Sequence, residues 1–120
     1  MTDWKIMICV DFDGVIHSYK TGWIGEAVIP DEPVDGAFEA LKEYLKHFKV
    51  CIYSSRSTSE AGIIAMKEWF SKHGFEYTDQ LEFPDKKPPA YITIDDRGIQ
   101  FDGTFPPVED IKNFKPWYKR

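Results

Sequence analysis

The sequence has little cysteine. Its two cysteines, Cys9 and Cys51, each lie within an apolar stretch of the chain. A cysteine metal site or redox site requires more ligands or closer spacing than these two residues offer. Even if the two thiols were neighbours, a cytoplasmic setting would keep them reduced. We therefore expect two buried free thiols.

Long hydrophobic runs are also absent. No apolar segment approaches the roughly 20 residues that are needed to span a bilayer. Residues 1–5 lead directly into the first apolar segment and do not have the pattern of a signal peptide. These two absences predict a protein that has no membrane association and is located in the cytoplasm.

The chain lacks an excess of positive charge. Its formal net charge is -5 and its pI is near 5.1, which argues against broad electrostatic binding to nucleic acid. A hydrophobic content of 42% and a charged content of 29% are those of a soluble globular protein. With 120 residues and no internal repeat, residues 1–120 are predicted to form a single domain.

Strand and helix patterns alternate along the chain. Apolar and β-rich runs predict strands, and apolar residues at helical spacing predict helices. The glycine-bearing segment 14–32 predicts a short hairpin-like flap instead. The predicted strands are 5–12, 49–54, 75–77 and 91–95, and the predicted helices run from Pro33 to about Phe48 and from a capping box, Ser57 with Glu60, to Gly74.

This order of elements predicts an α/β fold with a parallel sheet. Within strand 5–12 the run from Ile6 to Val10 is continuously apolar, as is typical of strands that helices cover on both faces. Right-handed crossovers and a reversal of the winding direction would place this first strand beside the fourth, 91–95. Ligands of such sheets bind at the carboxyl ends of the strands.

Acidic residues follow the first and the fourth predicted strands. Asp11 and Asp13 stand two residues apart just before Gly14, so in an extended chain both could face one site. Asp95 and Asp96 end the fourth strand. Carboxylates that converge in this way repel one another unless a cation lies between them, and Mg2+ is a hard cation that prefers oxygen ligands. The sequence therefore predicts a Mg2+ site built from two strands.

Four short elements occur in a fixed order along the chain. They are Asp11-Phe12-Asp13-Gly14 after the first strand, Ser54 after the second, the pair Lys86-Lys87, and Asp95-Asp96 after the fourth. Together they resemble the haloacid dehalogenase-like (HAD) phosphohydrolases, over residues 11–96. The resemblance implies a three-layer, Rossmann-like parallel sheet. The flap, helices and strands fill the segments between the elements, so the chain resembles a small member without a cap domain.

The resemblance implies catalytic roles for the matching residues. Asp11 would be the nucleophile that attacks phosphorus. Asp13 would be the general acid and base, and its backbone carbonyl would help to hold Mg2+. The hydroxyl of Ser54 would donate a hydrogen bond to the phosphoryl oxygens.

A catalytic lysine and a metal-ligand set are implied in the same way. The lysine would be Lys87, with Lys86 as the alternative, and its charge would balance the phosphate and the carboxylates. Only a proline turn separates this lysine from the fourth strand, whereas the superfamily commonly has a full helix there. The implied Mg2+ ligands are Asp11, Asp13, Asp95 and Asp96, the last directly or through water. Arg97 is predicted to pair with Asp96.

Three further residues are candidates for substrate binding. Ser55 stands beside Ser54, so either hydroxyl could be the phosphate ligand. Arg56 could grip a phosphate through two hydrogen bonds, or it could be a surface residue. His17, in the flap with Tyr19 and Trp23, could touch the leaving group of the substrate, or it could be a surface histidine.

The resemblance therefore implies a Mg2+-dependent phosphomonoesterase that acts through an aspartyl-phosphate. Its resemblance to capless relatives implies a nucleotide, a polynucleotide end or a phosphoprotein as the substrate. The alternatives are a non-catalytic module that binds Mg2+ and a phosphorylated ligand, and an assembly protein with the aromatic tail 112–120 as its interface. That tail could stack bases of a single strand or pack against its own domain. The sequence does not predict the oligomeric state.

Overall fold

A computed structural model describes residues 5–120; the segment 1–4, which belongs to the stretch without a signal-peptide pattern, lies outside the described residues. The strands and α-helices are, in order, β1 (Met7–Val10), α1 (Ala37–His47), β2 (Lys49–Ile52), α2 (Glu60–Lys72), β3 (Ile92–Ile94) and α3 (Val108–Lys112). Short 3₁₀ turns cover Ser55–Thr58, Thr78–Gln80 and Trp117–Lys119.

The three strands form one parallel sheet in the order β2-β1-β3. Cys9 at the centre of β1 lies opposite Cys51 of β2 on one side and Thr93 of β3 on the other. The predicted α/β fold with a parallel sheet is therefore confirmed, as is the pairing of the first strand with the strand at 91–95. All three strands consequently end at the same edge of the sheet.

The hydrophobic core lies between one face of the sheet and the two longer helices. Alternate residues of each strand point to this face, as the period of a strand requires. The strands contribute Ile8, Val10, Val50 and Ile52, and the helices contribute Leu41, Met66, Trp69 and Phe70. Phe38 of α1 also contacts Phe70 of α2 with ring centroids 5.8 Å apart, so the helices pack against each other as well as against the sheet.

The two cysteines are free and buried, as predicted. They face each other across β1 and β2. Burial raises the pKa of the Cys51 thiol to about 11, and burial raises the pKa of the Cys9 thiol as well. Both side chains are therefore protonated at neutral pH and serve as small apolar residues.

Both long helices begin later than predicted. α1 starts at Ala37 rather than at Pro33, because Gly36 adopts a left-handed conformation with φ +84° and Val34 donates its backbone N–H to Ile16. α2 is capped by Ser59, whose side chain accepts a hydrogen bond from the backbone N–H of Gly62. The predicted capping box of Ser57 with Glu60 is wrong, since Ser57 belongs to the preceding 3₁₀ turn.

The predicted strand at 75–77 is also wrong. This segment is a turn in which Phe75 packs into the core, with its ring 5.0 Å from that of Phe38. The outer edge of β2 instead pairs with one residue, Glu82, which exchanges backbone hydrogen bonds with Val50 and Ile52. Aromatic residues with strand propensity at 75–77 are used for core packing rather than for sheet pairing.

The predicted flap is a loop closed at its base by antiparallel pairing. Ser18 donates its N–H to Glu32, and Val34 donates its N–H to Ile16, around the bridge between His17 and Pro33. No strand forms inside the loop among the described residues. The predicted hairpin-like pairing is thus present only at the base of the flap, among the described residues.

The C-terminal tail returns to the carboxyl ends of the strands. The indole N–H of Trp117 donates to the backbone carbonyl of Gly14 at 2.7 Å, and the ring of Tyr118 lies 6.2 Å from that of Tyr19. For these two aromatic residues the prediction of packing against their own domain is confirmed. Across residues 5–120, none of the helices has the length and apolar character that crossing a bilayer requires.

Removal of a core side chain tests the described packing. Phe70→Ala is expected to lower the free energy of unfolding by about 3–5 kcal/mol, because Phe70 is fully buried among the aromatic rings of both helices. The matched control is Ile64→Ala on the same helix, where the residue is 46% exposed and the expected loss is below about 1 kcal/mol. Urea unfolding measures both, and equal losses would contradict this core.

Candidate functional site

The residues that follow the three strands meet in one cleft of about 290 Å³. The parallel arrangement accounts for this, because Asp11 follows β1, Ser54 follows β2 and Asp95 follows β3 at the same edge of the sheet. The cleft is lined by Asp11, Asp13, Tyr19, Ser54, Ser55, Asp95, Asp96, Arg97 and Tyr118. It combines carboxylates, hydroxyls and one guanidinium.

Three carboxylates in the cleft form a cluster. Asp11, Asp95 and Asp96 each place one oxygen within 4.8 Å of the others, as the sequence predicted for these residues. Three carboxylate oxygens from two strand ends can contribute ligands to a hard divalent cation that completes its coordination with water. The side chain of Asp13 is not part of this cluster.

Asp11 and Asp96 share a side-chain hydrogen bond within the cluster. Burial, together with a hydrogen bond to Asp96, raises the pKa of the Asp11 carboxyl to about 8. The backbone N–H of Phe12 donates to Asp11 Oδ1 at 2.7 Å and acts in the opposite direction. Asp11 is therefore protonated at neutral pH unless a cation offsets the negative charge of its neighbours.

Gly14 allows the chain to pass close to Asp96. Its φ of +79° is in the left-handed region, and a Cβ at this position would overlap the Asp96 carboxylate and lie 2.6 Å from Tyr118 Cε1. The side chain of Asp96 is only 3% exposed as a result. Glycine after Asp13 is thus required by conformation and by space.

The carboxylate of Asp13 is held by two neighbouring side chains. Arg56 donates through Nε to both oxygens of Asp13, at 3.2 and 3.0 Å. His17 Nδ1 lies 2.9 Å from Asp13 Oδ1, while His17 Nε2 accepts the backbone N–H of Asp31 at 3.1 Å. The latter bond assigns the ring proton to Nδ1, so His17 donates to Asp13. Asp13 retains 13% side-chain exposure toward the cleft.

Arg56 and His17 were predicted to bind substrate, and their positions do not match that prediction. Both side chains are 0% exposed and lie behind Asp13 rather than in the lining of the cleft. The alternative of a surface residue is wrong for both. The sequence pattern revealed neither the burial of Arg56 and His17 nor their hydrogen bonds to Asp13.

The two serines differ in their surroundings. Ser54 is buried: its Oγ accepts the backbone N–H of Arg56 at 3.0 Å and donates to Met66 Sδ at 3.7 Å. Ser55 is exposed and lines the same cleft. Ser54 thus already has two partners, whereas the Ser55 side chain faces solvent, and both remain candidates for contact with a phosphate.

The lysine pair is not part of the cleft. Lys86 and Lys87 are exposed and do not line it. Burial raises the pKa of Cys9 in β1, and the charge of Lys87 offsets part of that increase. Among the described residues that line the cleft, Arg97 carries the positive charge. Its Nε lies 3.9 Å from Asp96 Oδ2, which confirms the predicted pairing with Asp96.

The cleft also contains an aromatic wall that the sequence revealed in part. Tyr19 of the flap was a candidate, but Tyr118 was not, and its hydroxyl accepts a hydrogen bond from Arg97 Nη2 at 3.3 Å. Trp23, the other aromatic candidate, lies over the Arg56 guanidinium at 4.7 Å. The signal for Tyr118 was the aromatic composition of the tail, which does not by itself give a position.

No protein-family model, curated protein or solved structure matches the chain. The chemistry of the cleft therefore follows from its own residues. Three clustered carboxylates can bind a divalent cation, and a nearby guanidinium can attract an anion. A fourth carboxylate, Asp13, stands at the edge of the same space without belonging to the cluster.

The raised pKa of Asp11 predicts a pH-dependent stability in metal-free protein. The folded chain keeps a proton on Asp11 that the unfolded chain releases near pH 4, so stability falls as pH rises from about 4 to about 8. A divalent cation would bind the ionised form, so the stabilising effect of added Mg2+ is expected to grow over the same window. Thermal unfolding with and without Mg2+ across this range measures both trends.

Asp11→Asn is the control for this experiment, because it removes the titrating group. The difference between wild type and this variant isolates the contribution of Asp11 from those of other acidic groups. A wild-type stability that does not fall relative to Asp11→Asn between about pH 4 and about pH 8 would contradict the raised pKa.

Proposed function

We propose that the protein is a Mg2+-dependent phosphomonoesterase that acts through an aspartyl-phosphate on Asp11. The observation that carries this proposal is the convergence of Asp11, Asp95 and Asp96 within 4.8 Å in a cleft that Asp13 also lines. Such a site serves phosphoryl transfer, in which positioning and charge stabilisation supply most of the catalysis. Residues 1–120 would be one catalytic domain of the HAD-like type, with a Rossmann-like three-layer sheet and no cap domain.

The chemistry would proceed in two balanced steps. In the first, a carboxylate oxygen of Asp11 attacks phosphorus, the bond between phosphorus and the ester oxygen breaks, and Asp13 in its acid form gives its proton to the leaving oxygen. In the second, water attacks phosphorus, Asp13 takes its proton, and the bond from phosphorus to Asp11 breaks. The products are an alcohol and inorganic phosphate, and Asp11 and Asp13 return to their initial forms.

Positive charge is required because the phosphate adds to an already acidic site. Mg2+, when bound by Asp11, Asp95, Asp96 and the backbone carbonyl of Asp13, supplies charge neutralisation for the phosphoryl group. Ser54 or Ser55 would donate a hydrogen bond to the phosphoryl oxygens, and Arg97 would add the charge that the sequence assigned to Lys87. The role of Lys87 stays a prediction that requires the loop at 84–90 to approach the cleft.

The open cleft favours a phosphate on a larger molecule. Tyr19, Arg97 and Tyr118 form its wall and offer aromatic surface and one cation to the leaving group. A nucleotide, a polynucleotide end or a phosphoprotein fits these features. Because the net charge of the protein is -5, non-specific attraction to the phosphate backbone would add little to its affinity for a polynucleotide.

One observation favours the alternative of a non-catalytic module that binds Mg2+ and a phosphorylated ligand. Both oxygens of Asp13 accept hydrogen bonds from Arg56, and Oδ1 also contacts His17. To act as proposed, this carboxyl group has to give a proton to the leaving oxygen and later take one from water while Arg56 and His17 remain in contact with it. The alternative predicts binding without turnover.

Phosphate release distinguishes the two. Wild-type protein is expected to hydrolyse at least one member of a panel comprising an aryl phosphate, nucleoside monophosphates, 3'- and 5'-phosphorylated oligonucleotides and a phosphopeptide, and to require Mg2+. Asp11→Asn should lower kcat by at least ~10³-fold because it removes the nucleophile. Asp13→Asn should lower kcat by ~10²–10⁴-fold because it removes the proton transfer.

Asp102→Asn is the matched control, since Asp102 is exposed and does not line the cleft. Its kcat should equal that of the wild type. Mg2+ binding with no turnover on any substrate would favour the binding module, and turnover that survives Asp11→Asn would overturn the proposed nucleophile.

A further inference from the structure

The side chain of Arg56 joins two parts of the molecule that are distant in sequence. Its Nε donates to both oxygens of Asp13, and its Nη1 lies within hydrogen-bond distance of three backbone carbonyls of the flap. These carbonyls belong to Gly25, Glu26 and Val28, at 2.8, 2.8 and 3.2 Å. One guanidinium therefore contacts both Asp13 and the loop beside the cleft.

The guanidinium is enclosed. Its side chain is 0% exposed, and the ring of Trp23, another flap residue, lies over Cζ at 4.7 Å. A cation over an aromatic face is attracted electrostatically, and more strongly when water is excluded. Nη2 is buried without a hydrogen-bond partner among the described residues. The orientation of the guanidinium is therefore set by the hydrogen bonds of Nε and Nη1.

The backbone of Arg56 is fixed from two sides. Its N–H donates to Ser54 Oγ, while Ser57 Oγ accepts the N–H of Ser54 and closes a capping box. The first turn of α2 presses against the Arg56 carbonyl, because a Cβ at Gly62 would overlap this group and lie 2.9 Å from its carbon. Arg56 thus projects from a rigid turn that ends β2.

Side-chain contacts hold two parts of the flap: Arg56 donates to carbonyls of residues 25–28, and Thr21 donates its N–H and its hydroxyl to Asp31. Inside the loop the backbone hydrogen bonds are those of two turns, from Gly22 to Tyr19 and from Val28 to Gly25. Tyr19, at the start of the loop, has a left-handed φ of 62° and lines the cleft. A conformation of this kind persists in a non-glycine residue when the surrounding structure determines it.

We propose that Arg56 is a positioning residue that holds Asp13 and the flap in one arrangement, so that the proton-transferring carboxylate and the wall of the cleft form together. His17 supports the same carboxylate from the other side, through Nδ1 at 2.9 Å. The inference rests on the proposed function for its catalytic part. Its structural part concerns the flap alone and does not require turnover.

The test is Arg56→Lys, which keeps the charge but replaces a planar group with several donors by one ammonium. Hydrogen exchange of amides at 19–31 should become at least about 10-fold faster, because the flap carbonyls lose their charged donor. The kcat should fall by ~10²-fold, as a displaced catalytic group would cause. KM for an aryl phosphate and the affinity for Mg2+ should each stay within about 3-fold, since neither the Mg2+ ligands nor Ser55 is altered.

Two further variants keep the test decisive if Arg56→Lys is poorly folded. Trp23→Leu removes the ring over the guanidinium from a side chain that is 49% exposed, and should change exchange and kcat in the same direction by a smaller amount. Arg120→Lys makes the same chemical change at an exposed terminal arginine and should change neither quantity. Far-UV circular dichroism checks that each variant is folded.

The outcomes separate this inference from the proposed function. Unchanged exchange at 19–31 in folded Arg56→Lys would overturn the role in the flap, and an unchanged or increased kcat would overturn the positioning of Asp13. If wild-type protein has no turnover on the panel, the proposed function fails by itself. The hydrogen-exchange data then test the structural part of the inference, and faster exchange at 19–31 in Arg56→Lys would support the role of Arg56 in holding the flap.

Discussion

Mutual repulsion among three carboxylates governs this structure. Asp11, Asp95 and Asp96 lie at the ends of adjacent parallel strands, and the pairing of these strands holds their carboxylates close together. Burial, a hydrogen bond to Asp96 and the nearby charges of Asp96 and Asp95 raise the pKa of Asp11 to about 8. A proton on Asp11 and an ion pair between Asp96 and Arg97 then relieve the repulsion. A divalent cation would relieve it more completely. The cluster is thus the feature of the fold that supports the proposed cation site.

A second acidic residue is treated in the opposite way. Asp13, two residues beyond Asp11, is surrounded by donors from Arg56 and His17 and stays outside the cluster. The bend at Gly14 turns the chain so that neighbouring carboxylates enter different environments. Two carboxylates with different surroundings are the usual basis for different chemical roles in one site. In the metal-free protein this division leaves the proton on Asp11, so the proposed role of Asp11 as nucleophile requires a cation that ionises it.

The position of the site could be predicted from the sequence because strand ends and parallel pairing are encoded locally. The apolar runs that stop at Asp11 and at Asp95 mark the ends of two strands, and parallel strands end at the same edge of a sheet. Contacts between single residues that are far apart in sequence could not be predicted in this way. Arg56 follows a strand in a serine-rich turn, and only the tertiary structure reveals that the flap covers it. Tyr118 is likewise placed by the return of the tail along the fold.

The errors have physical causes of the same kind. Phe75 and Tyr77 have strand propensity, but core packing against α1 uses them in a turn. Pro33 is a good first residue of a helix, but pairing of the adjacent chain with the base of the flap delays the helix to Ala37. The catalytic role of Lys87 was assigned from its order in the chain and stays a prediction, since Lys87 does not line the cleft.

The central claim is that Asp11 becomes phosphorylated, and trapping the intermediate tests it most directly. Borohydride reduces an aspartyl-phosphate to homoserine, so protein quenched during turnover of an aryl phosphate with Mg2+ and then reduced can be sequenced by mass spectrometry. The account predicts homoserine at position 11 in wild-type protein and none in Asp11→Asn. Turnover with aspartate still intact at position 11, or homoserine at another residue, would contradict it.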